Sequence, residues 1–407
     1  MRSPRLFTPR SFSHLITVCD LAVEIVQLRL RAMRAASRRL FSSKAGAFRT
    51  RINYTSTSVI DLALRDPAAA SEHFWQPTRE YNQLFAELGL RHAREEYGWG
   101  DDFAAAIKAE APDERRRRVS EFRTWTAKLM REQDEQALTV DKAKQAIALL
   151  DKEPTMMPVA SARGMNDATL DAMGFTAVAH ESAVSSWDDW RLEPKSTAQL
   201  YAAETAALVK EHTGASHVFC TPRKLRATDG AKGSQPPLHG VHADFGPGYV
   251  DELAGVLDGS EATPQAMTLG LAKQLTAAGI TAAELRASRV VVLNSWRALG
   301  EAPTARQPLA LVDRRTVEAE DVAMIEMPPG VSSAHALRLS YAKPREAHRW
   351  YWWPELSSSE VLLFTQFDSA DPRGCRMLHS SVHHPQTPED APPRRSVELR
   401  MLAIFEA

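Results

Sequence analysis

The rhythm of apolar and polar positions changes along this chain. From about residue 60 to 150 it is charged and helix-prone, with Glu80–Glu96 and Asp113–Leu150 the clearest stretches. Beyond Pro154 short strands with intervening helices take over. Ser196, followed three residues later by Gln199, reads as a capping box. The helix it opens carries Leu200, Ala203, Ala207 and Leu208 on one face, and Gly214 supplies its stop. Strands are predicted over 216–220, 241–245, 289–294, 337–341, 349–353, 361–367 and 396–405. In the last, Val397, Leu399, Met401 and Ala403 fall on one side. Many short strands broken by Pro and Gly in the C-terminal half predict an α+β chain whose strands form a jelly roll or a related barrel.

Composition changes this picture only at the N-terminus. The first 52 residues hold eleven Arg or Lys against two acids, Asp20 and Glu24, with much Ser and Ala. Arg-rich, Ser-rich and acid-poor is the profile of an organelle-targeting presequence. The chain thus divides into a basic extension (1–52), a helix-rich region with a probable insertion (53–160) and a jelly-roll domain (161–407). A cytoplasmic location is expected, with a mitochondrial one as the alternative if the basic segment acts as a presequence.

Across all 407 residues the net charge is −1, so no global field draws the protein to nucleic acid or anionic membrane. The run Arg115–Arg118 is surrounded by Asp113, Glu114 and Glu121, which predicts a solvated helix face rather than a nucleic-acid contact. Apolar runs are short and interrupted by charge, so no transmembrane helix is expected. Three widely spaced cysteines, Cys19, Cys220 and Cys375, argue against a disulfide framework or a thiolate zinc site.

The densest cluster of ligand-type residues runs from Leu238 to Asp244. Two residues apart on a strand, His242 and Asp244 share one face. A second histidine from elsewhere would complete a facial triad of two histidines and a carboxylate, the arrangement of oxygen-activating iron(II) enzymes. His379, His383 and His384 are the distal candidates; the first lies 379 − 244 = 135 residues beyond the aspartate. His239 rivals His242, but five residues from Asp244 it belongs to the opposite strand face.

Fifteen residues after His379 (394 − 379) comes Arg394-Arg395-Ser396. A co-substrate such as 2-oxoglutarate chelates iron through its 1-carboxylate and 2-oxo groups, leaving a distal carboxylate for the protein to hold. A guanidinium fork does this while staying charged when desolvated, and the Ser396 hydroxyl suits the remaining lone pair. Arg395 should face away, whereas Arg400 shares the Arg394 face and competes for the role.

These segments resemble a hydroxylase/desaturase family that includes the cephamycin 7-methoxylase small-chain proteins and the fungal gibberellin desaturase. The matching stretches are 241–244, 292–297, 307–313, 348–351, 360–369 and 393–400, with weaker likeness over 171–175 and 213–216. Together they span roughly 165 to 405. The resemblance implies a double-stranded β-helix, Fe(II) and 2-oxoglutarate as cofactors, molecular oxygen and a small-molecule substrate as partners, and hydroxylation or desaturation in secondary metabolism. It places the iron ligands at His242, Asp244 and His379 and the co-substrate anchor at Arg394 with Ser396. It also sets Asn294, Trp296 and Arg297 near the site. The chain departs from the family at Arg395, at Val382-His383-His384 and at Ala298. Trp350–Trp353 offer an aromatic wall, one pair of which should be ordinary core. Two other readings share the predicted fold: a metal enzyme that does not use 2-oxoglutarate, and an idle binding protein. Titration with 2-oxoglutarate separates both from the oxygenase.

Overall fold

The computed structural model describes residues 47–97, 111–129 and 152–406, apart from 185, 193, 247, 262–265, 301, 326–338 and 372–376. The proposed presequence, apart from its last few residues, and the later part of the helical stretch 113–150 lie outside the described residues.

In chain order the elements begin with β1 (Phe48–Thr55), α1 (Thr57–Arg65), α2 (Pro67–Tyr97) and α3 (Pro112–Leu129). Next come β2 (Lys152–Ser161), β3 (Phe175–Ala179), α4 (Trp187–Leu192), α5 (Pro194–Thr213), β4 (His217–Cys220), β5 (Lys224–Ala227) and β6 (His242–Ala243). Three helices follow, α6 (Tyr249–Asp258), α7 (Ala266–Ala277) and α8 (Ala282–Ala287). The chain ends in strands: β7 (Arg289–Ala298), β8 (Leu309–Val312), β9 (Val322–Ile325), β10 (Leu339–Ala342), β11 (Trp350–Trp352), β12 (Glu360–Asp368), β13 (His379–Ser381) and β14 (Arg395–Phe405).

Two compact units share these elements. One takes the chain up to Asn53, Pro154–Glu318 and Arg345 onward; the other takes Tyr54–Glu153 and Ala319–Pro344. In the second unit, α1 buries Val59, Ile60 and Ala63 against Ala70 of α2 and against Ala323 and Ile325 of β9. β9 and β10 pair antiparallel, with Leu339 opposite Ile325. On α3 the arginine run is ion-paired along its own helix: Arg116 to Asp113, Arg117 to Glu114 and Glu121, Arg118 to Glu114. Such i,i+3 and i,i+4 pairs are what a solvated helix face requires.

The first unit holds two sheets. One runs β1-β2-β11-β8-β13-β6; the other runs β3-β12-β7-β14-β4, with β5 also on β14. β11 pairs parallel with β2; the pairs β11–β8, β13–β8, β13–β6, β12–β3, β12–β7, β14–β7, β14–β4 and β14–β5 are antiparallel. β1 escapes sequence prediction because its arginines belong to the basic extension. Its alternation is nevertheless regular as far as Tyr54, with Phe48, Thr50, Ile52 and Tyr54 buried and Arg49, Arg51 and Asn53 exposed or half-buried between them.

On β14 the predicted apolar side is correct. Val397, Leu399, Met401 and Ala403 pack with Val291 and Leu293 of β7 under Trp190, Tyr201 and Leu208 of the covering helices. The opposite face is interior too. Leu402 and Ile404 join Val290, Val292 and the α6–α8 helices, while Trp296, Leu362 and Phe364 meet Leu309 and Leu311 across from the other sheet. Between these two apolar clusters the inward positions turn polar: Asn294 on β7, Glu398 and Arg400 on β14. Polar side chains at the centre of a sandwich are costly unless mutually paired, so this interruption marks the site.

Two details of α5 differ from expectation. Ser196 is not its cap, because the helix already runs at Pro194, whose fixed φ suits a first turn. The buried stripe is Thr197, Tyr201, Thr205, Leu208 and Val209, and Leu200 is 46% exposed. Threonines are tolerated there because their hydroxyls bond inward, as Thr205 does to the Tyr201 carbonyl at 2.7 Å. Gly214 does end the helix, at φ +74° with its N–H on the Lys210 carbonyl.

Candidate active site

Two cross-strand pairs build the centre. In the first sheet β13 pairs with β6 so that His379 stands directly opposite His242. In the second, β14 pairs with β7 so that Arg400 stands opposite Asn294. Asp244, one residue past β6, lies where all four side chains converge, and it is 1% exposed. One ligand atom each from His242, Asp244 and His379 fall within 4.8 Å of one another, a set able to hold a metal ion. His242 Nε2 is 3.8 Å from Asp244 Oδ1, and His379 Nε2 is 4.0 Å from Oδ2.

The surroundings orient these groups. His242 Nδ1 lies 2.8 Å from the Gly240 carbonyl, which keeps the proton on Nδ1 and leaves the Nε2 lone pair for a metal. Arg400 donates to both oxygens of Asp244, Nε to Oδ2 at 2.9 Å and Nη2 to Oδ1 at 2.6 Å. Asn294 Nδ2 adds a third bond, to Oδ2 at 2.7 Å. Burial alone would raise the Asp244 carboxyl, but Arg400, with His379, His242 and Lys224 behind it, holds it well below the usual carboxylate range. Burial, reinforced by the neighbouring His242, pushes His379 down to about 4, so it is a neutral imidazole near pH 7.

Sequence reasoning missed Gln366. β12 changes register against β7 between Thr365 and Phe367, and Gln366 is the extra residue of that bulge. Its Oε1 accepts from the Asp244 backbone N–H at 2.8 Å. The only trace in the sequence is a glutamine inside an otherwise apolar strand.

A small cavity runs from His242 and His379 past Phe364 and Trp296 to Ser381, Arg394, Glu398 and Arg226. Arg394 is 5% exposed. Its Nη1 donates to the Gln307 carbonyl and, at 3.0 Å, to Ser381 Oγ; Nε is 3.4 Å from Ser396 Oγ. The guanidinium also lies over the Trp296 ring, 5.0 Å from its centroid. Burial, then repulsion from Arg226, lowers its pKa to about 9, still charged at neutral pH. Gln307 holds its carbonyl there from a left-handed backbone, φ +46°, a conformation that proline at 308 does not favour.

The remaining candidates separate cleanly. Arg400 competes with Arg394 on paper, but the structure bonds its fork to both oxygens of Asp244 and sets Nη2 3.2 Å from Glu398 Oε1. Arg395 faces outward onto Asp229 at 2.8 Å and the Trp187 ring. Arg297, expected near the site, lies on the other face of β7, bonded to His180 and the Ser358 carbonyl and over Tyr201. One-residue alternation forces this, since Asn294 and Trp296 take the inward positions. His383 stacks on His239, whose nitrogens face the Ser381 carbonyl and Gln307. His384 packs between Phe48 and Trp352. None of these three histidines joins the cluster. Trp350 and Trp352 are buried, and Tyr351 and Trp353 pack against the inter-sheet core, so this wall is structural.

Comparison with known proteins decides what this site belongs to. A family model described as an oxidoreductase/YMDC permease-like domain matches residues 126–404. The Fe(II)/2-oxoglutarate-dependent dioxygenase NvfI of Aspergillus novofumigatus is 32% identical over 248 residues, 58% of this chain and 77% of that one. The chain belongs to this oxidoreductase family of Fe(II)/2-oxoglutarate-dependent dioxygenases. Within the family, the gibberellin cluster GA4 desaturase of Gibberella fujikuroi is 26% identical, over 65% of this chain and 88% of the desaturase. A solved structure of the iron and alpha-ketoglutarate-dependent endoperoxidase NvfI superposes with a TM-score of 0.51 at 28% identity, covering 63% of this chain and 88% of the other. No helix of the described residues is long and apolar enough to cross a membrane.

The residues present fit the family's cofactors. Two imidazoles and one carboxylate are the donor set of an oxygen-activating iron(II) site. Trp296 lines the cavity, and its buried Nε1–H has no acceptor among the described residues. With Arg394 beside it, that unspent donor suits a carboxylate ligand.

Proposed function

We propose that the protein hydroxylates or desaturates a small, secondary-metabolite-like substrate at a single iron held by His242, Asp244 and His379. The observation that carries this is the convergence of those three ligand atoms beside a cavity that His242 and His379 line together with Arg394. The two sheets are read as a double-stranded β-helix, with the triad between them. When bound, iron(II), 2-oxoglutarate and molecular oxygen supply the oxidising chemistry, in which co-substrate decarboxylation to succinate is coupled to removal of hydrogen from a substrate C–H bond.

The chain's own groups do the rest. Asp244 Oδ2 already accepts from Arg400 and Asn294, whereas Oδ1 accepts from Arg400 alone and keeps a lone pair for the metal. His242 offers Nε2 because Gly240 fixes its tautomer. Arg394 and Ser396 anchor the distal carboxylate of the co-substrate, and the Gln307 carbonyl and Ser381 hydroxyl hold the Arg394 fork in place. Phe364, Leu309 and Trp296 keep the cavity wall dry, which strengthens each charged contact.

Anaerobic protein should bind iron(II) and, on addition of 2-oxoglutarate, develop a weak metal-to-ligand charge-transfer band in the visible. His242→Ala should abolish the band and Arg394→Ala should weaken it. Metal binding without a band at any 2-oxoglutarate concentration would overturn the co-substrate assignment.

A further inference from the structure

Two charged groups that line the cavity, Arg226 and Glu398, are not used by the reading above. β5 pairs with β14 so that Arg226 stands directly opposite Ser396, on the same inward face as Arg394. Arg226 is 6% exposed and lines the cavity with Arg394, Ser381 and Trp296. Its Nη1 donates to two neutral acceptors, the Pro236 carbonyl at 3.0 Å and Gln235 Oε1 at 3.3 Å. The carboxylate nearest to it among the described residues, Glu398, stays 3.8 Å from its Nε and is engaged by Arg400 at 3.2 Å. Arg394 is likewise bonded only to a carbonyl and two hydroxyls.

Among the described residues these two buried guanidiniums share the wall with one carboxylate, Glu398, which Arg400 also engages, so positive charge exceeds negative there. Burying such groups is costly unless an anion pairs with them. We propose that Arg226 is a second guanidinium of the co-substrate pocket, closing with Arg394 on the distal carboxylate of 2-oxoglutarate. This rests on the assignment of Arg394 as anchor. Arg226 is a binding residue, selecting 2-oxo acids that carry a second carboxylate. Its backbone position on β5 rather than β14 lets the two forks approach one carboxylate from adjacent strands.

The test uses the full chain loaded with Mn(II), titrated calorimetrically with 2-oxoglutarate and with 2-oxopentanoate, which keeps the chelating end but ends in a methyl group. Arg226→Met should weaken 2-oxoglutarate roughly ten- to hundred-fold, the worth of a charged hydrogen-bond pair, and leave 2-oxopentanoate unchanged. Arg226→Gln, a milder change should the first variant misfold, should show the same selective loss. Arg395→Met, on the outward face, should alter neither ligand. Equal weakening of both ligands, or of neither, would overturn the proposal. If Arg394→Met also leaves 2-oxoglutarate binding intact, the anchor assignment itself fails; if it abolishes selectivity while the Arg226 variants retain it, only the role of Arg226 fails.

Discussion

Arg400 grips both carboxylate oxygens of Asp244, from six residues beyond the arginine that lines the cavity. The inward face of β14, continued to the residue just before it, thus carries two arginines in different settings. Arg394, bonded to a carbonyl and two hydroxyls, is the proposed co-substrate anchor. Arg400 spends its fork on the proposed iron carboxylate, fixing its plane and leaving one lone pair on Oδ1. Asn294, opposite Arg400 in the β7 register, completes the clamp.

Removing Arg400 should therefore strand a buried carboxylate. Arg400→Met is expected to cost about 3–5 kcal/mol of stability, the usual consequence of breaking a buried pair from one side. A bound divalent ion replaces part of the lost positive charge. Mn(II) should accordingly raise the melting temperature of the variant by more than that of the wild type. Equal shifts in thermal denaturation would show that Arg400 does not act on the metal carboxylate.

The bulge residue offers an independent check. Gln366→Leu keeps the volume but leaves the Asp244 backbone N–H without its acceptor, a loss of roughly 1–3 kcal/mol in a buried setting. Because that N–H positions a proposed ligand, metal affinity should fall about ten-fold or more, as for other outer partners of metal ligands. Titration of Mn(II) followed by electron paramagnetic resonance measures this directly. An unchanged affinity with reduced stability would confine Gln366 to the scaffold.

What could be read from the sequence depended on how local the signal is. His242 and Asp244 are two residues apart on one strand, so their shared face follows from alternation alone. The distal histidine was ambiguous among three residues, and only the β13–β6 register, a long-range fact, sets His379 against His242. Arg394 and Arg400 have the same parity, and nothing local says that Asp244 captures one of them. Arg226 and Gln366 were missed because one sits in a four-residue strand and the other in a bulge, where alternation breaks. The α5 stripe was misjudged because its buried threonines, whose hydroxyls bond backbone carbonyls of Asp189 on α4 and Tyr201 on α5, read as polar.

Outside the centre, His384 gives the protein an acid-sensitive point. It is 6% exposed between Phe48, with ring centroids 4.2 Å apart, and Trp352. Its Nδ1 accepts the Gln386 N–H, which requires the neutral ring. Burial lowers its pKa to about 4, whereas the unfolded chain titrates near ~6.5. Between these values the unfolded state binds more protons, so stability is full above about pH 6.5 and falls as pH drops toward 4. Urea midpoints measured from neutral to mildly acid pH should fall less steeply in His384→Gln than in the wild type. Parallel slopes would mean that another group governs the acid limb.

The left-handed residue Gln307 separates backbone from side-chain effects at the anchor. Its carbonyl receives Arg394 Nη1 and Ser381 Oγ, while its side chain reaches His239. Glycine adopts positive φ without strain, so Gln307→Gly preserves the carbonyl and should keep 2-oxoglutarate affinity near the wild-type value. A β-branched residue strongly resists that conformation. Gln307→Val should therefore turn the carbonyl away, free the Arg394 fork and raise KM for 2-oxoglutarate roughly ten-fold, with kcat at saturating co-substrate little changed. The two variants both lack the amide contact to His239, so that contact cannot account for a difference between them. If instead both lose affinity alike, the side chain matters and the strained carbonyl does not; if neither does, Arg394 is held well enough by Ser381 alone.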